Sequence, residues 1–145
     1  MTARIFNTGS MFEGFQGSGG GGFPGPDIIS GAGDFASSAG WTLTGGASIA
    51  AGTLAMNGTG LGKALRTAAV TIVPGTYRVT FDIISTDGGD SVLVNVGGAG
   101  AIVGGSVVPG SFSKDIVTAA ANQNCFIQDD STVCVIDNLV IKQIA

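Results

Sequence analysis

The segment Val70–Ile84, VTIVPGTYRVTFDII, constrains this chain more than any other. Val70 and Ile72 alternate on one side of Pro74-Gly75, and Tyr77, Val79, Phe81 and Ile83 alternate on the other. Arg78, Thr80 and Asp82 fall on the opposite face. A period of two is the signature of a half-buried strand, and the Pro-Gly pair predicts a hairpin turn between two such strands. A third alternating segment, VCVIDNLVIKQ, closes the chain. Together they specify an antiparallel β-sandwich.

The remaining punctuation agrees. Short strands are expected at 41–43, 47–51, 53–56, 63–67, 92–96, 112–117, 124–128 and 133–142, and the glycine-rich residues 97–110 form either an exposed loop or one weak strand around 101–103. Asn57-Gly58 and Asp87-Gly88-Gly89-Asp90 mark turns. No segment offers an amphipathic helix of useful length. About eight strands at regular spacing predict an all-β jelly roll. Glycine, 26 of 145 residues, fits many tight turns; disorder is excluded because 44% of residues are hydrophobic and only 11% charged.

Residues 1–34 read differently. They hold GSGGGG and the breakers Pro24 and Pro26, yet also Phe6, Phe12, Phe15 and Phe23. A passive linker has no use for four phenylalanines, each of which forfeits about 1.5–3 kcal/mol when left in water. The arm either folds back over its own sandwich or lies along a neighbouring subunit, with the four rings as anchors. The second reading is preferred, because apolar knobs between glycines suit an extended clamp that orders on binding. The expected division is therefore an arm, 1–34, and a sandwich domain, 35–145.

The net charge is −4, and Arg4, Lys63, Arg66, Arg78, Lys114 and Lys142 form no cluster in sequence, so a nucleic-acid partner is not expected. No stretch approaches the roughly 20 apolar residues that span a bilayer, and the first residues lack the apolar core of a secretion leader. Histidine is absent. No nucleophile has a base partner, no carboxylate pair stands out for glycoside hydrolysis, and no catalytic residue, cofactor or metal is assigned. Asp82, Asp87, Asp90 and Asp137 are oxygen ligands that a calcium ion would accept if they converged; turn and strand-end capping is the preferred reading. Cys125 and Cys134 flank QDDST and would be cross-strand partners in a hairpin; two small buried core residues is the preferred alternative.

Gly40-Trp41, the unit VTIVPGTYRVTFDI and the closing VIDNLVIK resemble galactose-binding-like jelly rolls, and more narrowly the carbohydrate-binding modules attached to glycoside hydrolases. The resemblance covers about residues 35–145. It implies stacking of an aromatic ring on a sugar, with Trp41 as the candidate ligand-binding residue. Of the domain's aromatics, however, Tyr77 and Phe81 sit on the apolar parity of their strand, Phe112 and Phe126 flank apolar strand residues, and Trp41 itself matches a core position, so core is the preferred reading for most of them. A self-contained sandwich, an apolar arm and no catalytic constellation give the leading expectation. It is a bacteriophage virion protein, a capsid decoration (cement) or tail appendage, assembled in the host cytoplasm. Phe6, Phe12, Phe15 and Phe23 would anchor it on major capsid or tail subunits, as a homo-oligomer with a trimer favoured. The alternative is a carbohydrate-binding module attaching to host glycans.

Overall fold

A computed structural model describes residues 24–59, 61–89, 91–104 and 107–145, with the backbone alone at 102–104. Ten strands form two antiparallel sheets of five. They are β1 (Trp41–Thr44), β2 (Ser48–Ala50), β3 (Thr53–Asn57), β4 (Lys63–Arg66), β5 (Gly75–Thr86), β6 (Ser91–Val96), β7 (Ala99–Gly104), β8 (Gly110–Thr118), β9 (Cys125–Asp130) and β10 (Val133–Gln143). One sheet runs β2-β3-β10-β5-β8 and the other β1-β4-β9-β6-β7. The expected β-sandwich is present, and apart from the strand expected at 70–72 each expected strand after residue 40 is found within a few residues of its place.

The core follows the alternation. Tyr77, Val79, Phe81 and Ile83 of β5 meet Val92, Val94 and Val96 of β6, Ile127 of β9 and Ile136 and Ile141 of β10 in one buried cluster. Each such side chain contributes about 1.5–3 kcal/mol when taken from water.

Connectivity departs from the hairpin reading. Only β2–β3 and β6–β7 join consecutive strands within one sheet; every other connection crosses between sheets. Residues 70–74 are not a strand. Their backbone is satisfied by side chains instead: Ile72 N–H donates to Gln123 Oε1 at 2.6 Å, and Gln123 Nε2 donates to the Ile72 carbonyl at 2.9 Å. The Tyr77 hydroxyl likewise accepts from Val73 N–H and donates to its carbonyl. β5 pairs with β8 and β10.

The same rule corrects the cysteine hairpin. Cys125 on β9 and Cys134 on β10 lie in different sheets, because QDDST crosses the sandwich. Both are free and buried, as the preferred reading has it, and desolvation pushes each thiol up to about 12, so neither is a nucleophile near neutrality.

Residues 24–34, read from the sequence as part of the arm, are stitched to β10. β3 covers β10 only as far as Ile136. Beyond it Ile28 N–H donates to the Ile141 carbonyl and Gly25 N–H to that of Gln143, both at 2.8 Å. The Asp27 carboxylate accepts Ile141 N–H at 3.0 Å and Gly31 N–H at 2.7 Å. Ile29 is wholly buried. Gly33 sits so close to β10 that a Cβ there would lie 1.8 Å from the Leu139 carbonyl oxygen. The packed unit thus begins some ten residues before the expected boundary. Phe6, Phe12, Phe15 and Phe23 lie outside the described residues.

Candidate functional site

The outer face of the β10-β5-β8 sheet gathers five charged residues, Arg78, Asp82, Asp115, Asp137 and Lys142. The period of two points Arg78, Thr80 and Asp82 away from the core, and register sets β8 partners beside them: Asp115 against Arg78, Ser113 against Thr80, Ser111 against Asp82. On the other side β10 places Lys142 against Arg78, Val140 against Thr80 and Asp137 against Asp82. The result is a three-strand grid of polar side chains around a small apolar centre.

This grid is not flat. One depression of about 420 Å³ is lined by Thr80, Phe81, Asp82, Ser111, Phe112, Ser113, Asn138 and Val140. A second, of about 230 Å³, continues it over Arg78, Val140, Lys142 and Ile144 to Pro24. The two share Thr80 and Val140, forming one shallow groove across the strands. Phe112 faces inward with its register partner Phe81, their rings stacked with centroids 5.6 Å apart, so the apolar centre of the groove is Val140.

Hydrogen bonds fix the groove's polar groups. Arg78 Nε and Nη2 donate to the two oxygens of Asp115, each at 2.8 Å, a bidentate fork. That guanidinium holds the Asp115 carboxyl below the usual carboxylate range. Asp82 accepts Ser111 Oγ at 2.5 Å and Asn138 Nδ2 at 2.8 Å. These two donors, the serine first, lower its pKa as well. Ionised, oriented carboxylates and a fixed guanidinium recognise hydroxyl groups well, because each offers several acceptors or donors in known directions.

Trp41, the candidate ligand-binding ring, lies elsewhere. It is 7% exposed on β1, its ring 5.5 Å from Phe35 on one side and 5.3 Å from the Arg66 guanidinium on another. Arg66 is itself tied to the Gly40 and Ala39 carbonyls. A sugar ring has no open face of Trp41 to stack on. Phe126 is the half-buried ring on the outer face of the second sheet, and Lys63 Nζ stands 5.2 Å from its centroid.

The candidate oxygen ligands do not converge as a set. Asp82 and Asp137 are register partners, whereas Asp87 caps the loop before β6, accepting Gly89 and Val133 N–H groups; Asp90 lies outside the described residues. Among the described residues no group of three or more acids and cysteines is arranged to hold a metal. Two cations that are far apart in sequence, Arg78 and Lys142, do meet, with Asp82, Asp115 and Asp137 balancing them. Asp115, Ser111, Ser113 and Asn138 were not identifiable as site residues beforehand. The alternation of β8 was the available signal; its register against β5, 37 residues away at Arg78–Asp115, was not.

No family model and no curated protein matches the chain. Solved structures do. A mannan-binding module from Man5C in bound conformation aligns at TM-score 0.54 with 15% identity, covering 74% of this chain and 96% of that one. A second structure of the Man5C mannan-binding module aligns at TM-score 0.46 with 12% identity, over 74% and 94%. A family 29 carbohydrate-binding module aligns at TM-score 0.43 with 15% identity, over 72% and 81%. At such identities the likeness is one of fold: this chain is a β-sandwich of the kind seen in carbohydrate-binding modules.

Proposed function

We propose that this protein is a non-catalytic glycan-binding module and that the groove across β10, β5 and β8 is its binding face. The observation that carries the reading is the groove itself, a polar grid with Asp82, Asn138, Arg78 and Asp115 held in place by one another around Val140. Sugar hydroxyls would replace water on these groups, and a C–H face of the sugar would rest on Val140. The sandwich fold shared with a mannan-binding module supports the ligand class. Mannan is therefore the first polysaccharide to try.

Asp82 is not set as a general acid, which needs a raised pKa, because Ser111 and Asn138 push it the other way. The virion reading rests on Phe6, Phe12, Phe15 and Phe23, and no described residue adds to it. Capsid or tail partners and a trimer likewise gain no support from the described residues.

The test is affinity electrophoresis in gels carrying soluble mannan, xylan, xyloglucan or β-glucan. The wild-type chain is expected to be retarded by at least one polymer, and Asp82→Ala to run as in the empty gel. Unretarded migration in all four would overturn the reading.

A further inference from the structure

Resting on that reading, one local distortion reaches further. Between Asp137 and Val140 the pairing of β10 with β5 slips: Asp137 faces Asp82 and Val140 faces Thr80, so Asn138 and Leu139 together stand opposite Phe81. This is a β-bulge, with one extra residue on the bulged strand. Asn138 occupies it at φ 54°, in the left-handed region that few residues other than glycine enter without cost. Glycine would fit the backbone better. Asparagine brings an amide, and that amide is spent on Asp82: Nδ2 donates to Oδ2 at 2.8 Å.

The carboxylate is thereby held at both ends. Ser111 of β8 takes Oδ1, and Asn138 of β10 takes Oδ2. An ionised carboxylate offers about four lone-pair sites, two on each oxygen. Ser111 and Asn138 use one apiece. Among the described residues no other donor takes the remaining acceptor on each oxygen, and the two lie side by side at the groove that Asp82 lines. Two adjacent acceptors match two hydroxyls on neighbouring carbons.

We propose that Asn138 is a positioning residue, kept in its bulge to clamp Asp82 so that the carboxylate receives a vicinal diol of the bound glycan. The groups facing Asp82 are Asp137 across on β10, Ser111 on β8, and Arg78 and Lys142 further along the grid. Desolvation opposes ionisation of Asp82, and the two donors outweigh it. Conformation and clamp are separable by substitution. Asn138→Gly keeps the left-handed backbone and removes the amide; Asn138→Ala removes the amide and strains the backbone.

The experiment has two parts on the full chain. The first needs no ligand: NMR titration of the Asp82 carboxyl, with thermal melting alongside. In the wild type Asp82 titrates below the ordinary 3.8; in both variants it moves up towards that value, while only Asn138→Ala melts lower. An unmoved titration in Asn138→Gly overturns the clamp. The second measures binding to soluble mannan, intact or after periodate oxidation and borohydride reduction, which cut vicinal diols. Asn138→Gly should bind intact mannan about tenfold more weakly, the loss of roughly one charge-assisted hydrogen bond, and the wild type should lose affinity for the cleaved polymer. Equal binding of both polymers by the wild type overturns the diol assignment. A moved titration with no binding to any soluble polysaccharide would instead overturn the glycan reading and the diol with it, leaving the clamp alone.

Discussion

The two sheets turn outward faces of different chemistry, although both inward faces are largely apolar. The β10-β5-β8 face carries Arg78, Lys142, Asp82, Asp115 and Asp137 and is grooved. On the other sheet the same register sets Leu65 beside Phe126, and Leu93 beside Gln128, with Lys63 lying over the Phe126 ring. In a chain with only 11% charged residues such a concentration is costly to solubility elsewhere, and selection for folding alone does not call for it. The comparison teaches that the sandwich supplies a platform twice, and that one copy has the ionic furniture of a recognition surface.

The largest effect expected from breaking this arrangement comes at its rim. A chain starting at Asp34 lacks Pro24 from the groove wall, the Asp27 carboxylate that takes Ile141 N–H, and Ile29 from the core. It should lose about 3–5 kcal/mol of stability, read by urea denaturation. A chain starting at Pro24 should retain the stability of the full one. Equal stability of the two truncations would detach residues 24–33 from the sandwich.

Next in size is the groove itself. Asp82→Ala should weaken polysaccharide binding by about 10–100-fold, the range for removing hydrogen bonds to a charged group, with melting little changed because Asp82 lies on an outer face. Phe126→Ala on the opposite sheet should cost about 1 kcal/mol of stability and leave binding unchanged, by titration calorimetry. If the two results exchange places, the recognition face is the other sheet.

These assignments were partly legible in the sequence, and the reason is local. Tyr77, Val79, Phe81 and Ile83 announce their strand because alternation is a property of neighbouring residues. The bulge is not written there: Val133, Val135 and Val140 are as apolar as the buried Cys134, Ile136, Leu139 and Ile141, so the slip of phase at Asp137-Asn138 shows only in the packing. What local pattern cannot carry is which strands meet. Pro74-Gly75 and QDDST look like hairpin turns, yet the chain crosses between sheets at both, and Gln123 stands in for the missing partner of Ile72. The groove depends on that long-range register, so Arg78 and Asp82 were visible as one face of β5 while Asp115, Ser111 and Asn138 had no stated connection to them. Trp41 shows the converse. An isolated tryptophan beside a glycine invites a ligand role, and only packing reveals that Phe35 and Arg66 have already taken its faces.

Acid gives a smaller and more graded test. Asp82 and Asp115 have pKa values lowered in the folded protein. A lowered folded pKa means that the clamped, charged arrangement is complete above the ordinary carboxylate value of 3.8 and is lost as pH falls through the folded one. Binding should therefore hold steady from pH 7 to pH 5 and decay only below 3.8. Decay centred near pH 6 would implicate another group. Smallest of all is the effect of separating Arg78 from Asp115. Both are exposed, so Asp115→Asn should leave the melting temperature where it is while weakening binding modestly.

The most direct test of the central claim is an amide chemical-shift map on adding soluble mannan oligosaccharide. A glycan seated in the groove should move the amides of Arg78, Thr80, Asp82, Ser111, Ser113, Asn138 and Lys142 and leave those of Leu65, Leu93 and Phe126 in place. Shifts confined to the β4-β9-β6 face, or no shifts at saturating sugar, would contradict it.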